Sequence, residues 1–131
     1  MTEKIYFTRQ EKLSEILENE NIDGLLISNL TNIRYISGFT GSAGTCLVTN
    51  KGSFFITDGR YIEQSKSQVK GFKRYIDMSS HLEIIKKNNL LLDGMKIGFE
   101  SDHVNFTLYE SMLNTFPKIK WEGTKMILEN L

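Results

Sequence analysis

The sequence predicts an α/β fold, a mixed sheet of about six strands flanked by helices. Short apolar runs alternate with stretches of helical period along the whole chain, the pattern of a sheet covered by helices. Two of these runs, residues 45–49 and 53–57, are separated by Asn50-Lys51-Gly52, a glycine-ended connection suited to a hairpin. At least one pair of strands is therefore antiparallel. A length of 131 residues fits a single domain, large enough to bury roughly two-thirds of its unfolded surface.

The elements follow in order. Thr8-Arg9-Gln10-Glu11 reads as a capping box, and Leu13, Ile16 and Leu17 continue one helical face to about Asn21. Asp23-Gly24 breaks that helix before Leu25-Leu26-Ile27, an all-apolar strand buried on both faces. Asn29 or Thr31 can cap a short helix containing Ile33 and Ile36. The hairpin comes next. Asp58 then caps a helix over residues 60–69, polar beyond Ile62 and so at the surface. Residues 72–76 form a strand. Ser80-His81-Leu82-Glu83 is a second capping box, ahead of a helical face through Leu82 and Ile85. Residues 96–99 are a strand. Thr107-Leu108-Tyr109-Glu110 is a third box, for a helix that turns Phe106, Tyr109, Met112, Leu113 and Phe116 to one side and ends at Pro117. Residues 118–121 make the last strand.

Composition excludes several classes of function. Sixteen basic and sixteen acidic residues cancel, so nothing points to nucleic acid or an anionic membrane as a partner. No apolar run approaches a membrane span, and the first twenty residues are too polar for a signal peptide. The one cysteine, Cys46, lies in an apolar strand and reads as a buried, reduced thiol of a cytoplasmic protein.

The unusual stretch runs from Asn32 to Tyr61. Glycines at 38, 41 and 44 fall three apart, as in a backbone that turns through positive φ or closely approaches something else. Gly41-Ser42-Ala43-Gly44 is not a nucleophile elbow, because Thr40 stands where the first glycine is required. Nor is it a phosphate loop, since no lysine precedes a serine or threonine after the last glycine. His81 and His103 have no ligand partners at metal-site spacing and read as solvated. Asp58 and Glu100 are lone carboxylates at strand ends and read as caps, and Lys86-Lys87 as a wet helix face. From the residues alone, no self-sufficient active site and no metal site emerges. At the loop, Thr40 belongs to no helical or strand period and is the tip residue that faces solvent. In the plainer structural reading the glycines allow the turn, Arg60 pins the loop and Tyr61 packs.

The string 32–45, Asn-Ile-Arg-Tyr-Ile-Ser-Gly-Phe-Thr-Gly-Ser-Ala-Gly-Thr, followed by Phe55-Ile56-Thr57-Asp58-Gly59-Arg60-Tyr61, resembles the amino-terminal domain of Xaa-Pro aminopeptidases and prolidase-like dipeptidases, in the creatinase-like "pita-bread" metallopeptidase family. Asp23-Gly24-Leu25-Leu26-Ile27 is similar to that domain's opening and Gly123-Thr124-Lys125-Met126 to its end, so the resemblance spans residues 1–131. It implies a creatinase/prolidase N-terminal domain that is itself non-catalytic. The catalytic domain would lie downstream of Leu131, with Met1 a natural start. In that absent domain two divalent metal ions, manganese or else zinc or cobalt, activate a water to hydrolyse the bond before proline in peptides or dipeptides. The amino-terminal domain would shape substrate access and a homodimer, with the catalytic domain and proline-containing peptides as partners. Phe39, Thr40, Gly41, Arg60 and Tyr61 match the motif positions that would line the access route. A creatinase-like amidinohydrolase and a peptidase-like binding module without catalysis are the alternative readings.

Overall fold

The structure, a computed structural model, describes residues 2–131. Its elements are α1 (Thr2–Asn19), β1 (Gly24–Ile27), α2 (Leu30–Ser37), β2 (Thr45–Thr49), β3 (Gly52–Thr57), a single 3-10 turn (Gly59–Tyr61), α3 (Ile62–Gln68), β4 (Lys73–Ile76), α4 (His81–Lys87), β5 (Lys96–Glu100), α5 (Phe106–Thr115) and β6 (Lys120–Thr124). The six strands form one sheet in the order β4-β3-β2-β1-β5-β6. Only β2 runs against the others: it pairs antiparallel with β1 and β3, whereas β1–β5, β3–β4 and β5–β6 are parallel. The mixed α/β sheet expected from the sequence is therefore present.

Alternation along each strand splits the core in two. Leu25, Ile27, Cys46, Val48 and Phe55 face α1 and α2, where Leu13, Leu17, Ile33 and Ile36 meet them. Leu26, Leu47, Ile56 and Ile97 face α4 and α5, against Leu82, Ile85, Met112 and Phe116. β1 and β2 are buried along their whole length, which explains their unbroken apolar sequence. Cys46 is fully buried, and burial pushes its thiol well above the usual range.

Long-range bonds fix the sheet's two ends. Asp23 accepts the Lys96 N–H at 2.8 Å, donates its own N–H to the Lys96 carbonyl and takes the Asn50 N–H on its backbone oxygen. At the other end Glu100 Oε1 accepts the N–H groups of Ser28 and Asn29 at 2.8 and 2.9 Å, and Oε2 accepts Asn32 Nδ2. Glu100 caps no helix of its own. It closes the β1–α2 connection from a neighbouring strand.

Four local expectations need correction. Thr8 is not a cap, because the helix begins six residues earlier and Thr8 Oγ1 donates back to the Lys4 carbonyl inside it. The helical face extends backward through Tyr6, Arg9 and Gln10; Arg9 and Gln10 donate to the Tyr35 and Ile36 carbonyls of α2, and the Tyr6 ring lies close to Gly38 just beyond it, so tertiary packing outweighs the local signal. Asn105, not Thr107, caps α5, accepting the Leu108 N–H at 2.8 Å. The helix face is accordingly rotated: Met112 and Phe116 are buried, while Phe106 and Leu113 are exposed. Finally, β6 spans 120–124 because residues 118–120 bond the turn before β5: Gly94 N–H meets the Lys118 carbonyl, and Lys120 N–H the Met95 carbonyl.

Candidate functional site

The glycine-rich turn starts where α2 ends. Gly38 caps that helix at φ 90°, returning its N–H to the Arg34 carbonyl. A β-carbon there would stand 2.7 Å from the Gln68 carbonyl oxygen, so both conformation and close approach require glycine. Gly41 and Gly44 have a different reason. A β-carbon on Gly41 would lie 2.8 Å from Tyr61 and closer still to Phe39, and one on Gly44 about 3 Å from Phe55 and Phe39. These glycines leave room for aromatic rings.

Those rings are the turn's foundation. Phe39 is fully buried, with ring centroids 4.8 Å from Phe55 and 5.4 Å from Tyr61, the latter edge-on. Phe39 therefore anchors the turn rather than lining an open route. Tyr61 reaches back so that its phenol oxygen accepts the Ser42 N–H at 3.3 Å and meets Ser42 Oγ at 2.5 Å. The bonds with Ser42 hold its pKa below the usual phenol value. Thr57 Oγ1 donates to the Ala43 carbonyl at 2.6 Å, tying the far side of the turn to β3.

Thr40 is the exposed tip, as the sequence predicts, but it is not free. Its N–H donates to Gln68 Oε1 at 2.9 Å, and its Oγ1 accepts Gln68 Nε2 at 2.9 Å and Gln64 Nε2 at 3.2 Å. Gln64 and Gln68 were not legible as site residues. They sit four apart on a polar helix, a pattern shared by any wet helix face.

Arg60 does not pin the turn. It is exposed and pairs with Asp58 through two bonds of 2.9 Å, Nε to Oδ1 and Nη2 to Oδ2. Among the described residues its link to the turn is the Tyr61 ring, whose centroid lies 5.2 Å away. The guanidinium holds the Asp58 carboxyl down at about 2. Asp58 also caps the following 3-10 turn through the Arg60 N–H. The structure thus gathers Phe39, Thr40, Gly41 and Tyr61 and leaves Arg60 on their outer flank.

Next to the turn, on the opposite face of the sheet, lies a cleft of about 480 Å³ lined by Ser28, Thr45, His81, Glu83 and Ser111 over Leu26 and Leu108. His81 is not the solvated histidine expected from the sequence: it is half-buried, and its Nδ1 meets Thr45 Oγ1 at 2.7 Å. Burial lowers its pKa, partly offset by the charge of Asp58. A larger concavity of about 670 Å³ lies at the other end of the sheet, between α1 and the hairpin. Among the described residues no group of three or more His, Cys, Asp or Glu converges as metal ligands would, so no chemical step can be assigned to a metal held here.

Comparison with known proteins reports the same region. A profile described as the Creatinase/Prolidase N-terminal domain matches residues 9–131. The chain is 41% identical over 102 residues to an uncharacterized peptidase, YqhT, of Bacillus subtilis, covering 77% of this chain and 29% of that protein. The Xaa-Pro dipeptidase from Bacillus anthracis superposes with a TM-score of 0.86 at 28% identity, over 95% of this chain and 35% of that one. The N-terminal domain of the cytoplasmic peptidase PepQ from Mycobacterium tuberculosis superposes with a TM-score of 0.83 at 28% identity, over 94% of this chain and 97% of that one. The chain therefore spans about a third of the two full-length relatives and nearly all of an isolated domain.

Proposed function

Because this chain belongs to the Creatinase/Prolidase N-terminal domain family, we propose that it serves a larger peptidase that cleaves the bond before proline, forming part of the wall past which the peptide must travel. The chemistry belongs to a downstream catalytic domain carrying two divalent metal ions. This domain supplies shape: a turn built on the buried Phe39 and Phe55 rings, with Thr40 exposed at its tip. The peptidase acts in the cytoplasm as a homodimer, and the turn faces the route to the metal centre of its own or the neighbouring subunit.

The observation that carries this reading is the construction of the turn. Phe39, Tyr61, Gln64 and Gln68 hold an exposed tip in one position, although the tip contributes nothing to the core. Rigid presentation of an exposed polar residue suits contact with a ligand. In the full-length peptidase, Thr40→Trp is expected to lower kcat/KM for peptides that continue beyond proline more than for an Xaa-Pro dipeptide. Unchanged kinetics on every substrate would place the tip away from the route. In the isolated domain the same change removes two bonds to Thr40 Oγ1 and is expected to cost about 1 kcal/mol, not the nil effect expected of a free tip.

A further inference from the structure

The hydrogen bonds around Thr40 fix its polarity as well as its position. The backbone N–H of Thr40 can only donate, so the Gln68 side-chain atom 2.9 Å from it must be the carbonyl oxygen. That fixes the other end of the carboxamide as NH2, facing Thr40 Oγ1 at 2.9 Å as a donor. Gln64 is fixed in turn. Its terminal atom lies 3.2 Å from Gln68 Oε1, so it must be nitrogen, and the same nitrogen donates to Thr40 Oγ1 at 3.2 Å. A hydroxyl oxygen has two lone pairs, and both are now occupied. Its one remaining capacity is the proton.

Resting on the reading of the turn as part of the substrate route, we infer that Thr40 is a hydrogen-bond donor preset to meet a carbonyl oxygen of the peptide substrate, with Gln68 the positioning residue that sets its polarity. A free threonine hydroxyl rotates to donate or to accept. This one is held as a donor before any ligand arrives, so it selects a backbone carbonyl over an ammonium or amide N–H. The assignment holds across the whole working pH range, because neither glutamine titrates.

Gln68→Glu tests the polarity without changing the shape. One carboxylate oxygen still accepts the Thr40 N–H, but the other cannot donate. It takes the Thr40 proton instead and turns the donor inward. The measurement is steady-state kinetics of the full-length peptidase on Xaa-Pro peptides that continue past proline. Thr40→Ser should behave as wild type. Thr40→Val and Gln68→Glu should each raise KM by about 3- to 10-fold with kcat little changed, as loss of one hydrogen bond to the bound peptide requires. The double variant should be no worse than Thr40→Val. Wild-type KM in Gln68→Glu beside an impaired Thr40→Val would overturn the preset polarity. Wild-type KM in Thr40→Val beside an impaired Thr40→Trp would overturn the hydroxyl contact while leaving the turn on the substrate route. An inert Thr40→Trp would overturn both. If Gln68→Glu proves too unstable to assay, Thr40→Ser against Thr40→Val decides: equal KM values overturn the inference, and a rise confined to valine supports it.

Discussion

Tyr61 and Ser42, nineteen residues apart, share one oxygen: the phenol accepts the serine N–H and also meets its hydroxyl at 2.5 Å. The same ring lies edge-on to Phe39. One side chain thus secures both the inner and the outer half of the turn. Tyr61→Phe separates the two tasks. The ring contact survives, while the Ser42 N–H passes to solvent, so stability should fall by no more than about 1 kcal/mol. Amide hydrogen exchange at Ser42 should accelerate measurably, and an unchanged exchange rate would show that the phenol does not hold the turn.

Gly44→Val should destabilise the domain by roughly 1–3 kcal/mol. The cause is crowding against the Phe55 and Phe39 rings, both buried and packed on each other. Chemical denaturation gives the answer, and a midpoint equal to wild type would mean that the rings can yield.

His81 predicts a pH dependence. Burial lowers its pKa below the ordinary imidazole value of 6.5, so the folded state binds its proton more weakly than the unfolded state. The contribution to stability is fully present above 6.5 and is lost as pH falls through the lower, folded-state pKa. His81→Gln should therefore flatten the decline in stability between neutral pH and pH 5. Parallel curves for the two proteins would remove His81 as the cause.

The chain alone should cleave nothing. Incubation with manganese, zinc or cobalt and an Xaa-Pro peptide should give no turnover, because the described residues offer no converging ligands. Hydrolysis that scales with protein concentration and survives repurification would refute this.

What the sequence disclosed was mostly local. The hairpin, the cap at Ser80 and the stop at Pro117 are each written within a few residues and stand where the sequence predicts them; of the two caps offered for α2 the chain uses Asn29, and Asp58 caps a 3-10 turn rather than the long helix expected. The errors occur where distant contacts decide. Thr8 carries a good capping signal but lies inside a helix held by Gln10, whose side chain reaches the Ile36 and Lys70 carbonyls. Glu100 reads as a lone carboxylate because its three partners lie about seventy residues earlier in the chain. The candidate site shows the same division. Its glycines and aromatic residues stand out in the sequence. The glutamines that hold Thr40 do not, since a polar helix face becomes a clamp only when a loop folds onto it.

The place of β1 between β2 and β5 has a consequence for the order of assembly. The β2–β3 hairpin joins neighbours in sequence and can form within microseconds. β1 can add to it early, but its other edge stays open until residues 97–99 arrive to pair with Gly24, Leu25 and Leu26. During synthesis from the amino terminus, a ribosome making about 5–20 residues per second leaves that apolar edge unpaired for several seconds. A bare edge of this kind recruits other strands. The nascent chain is therefore most exposed to misassociation between emergence of β1 and emergence of β5, and a chaperone that shields it in that interval would act on Gly24–Ile27.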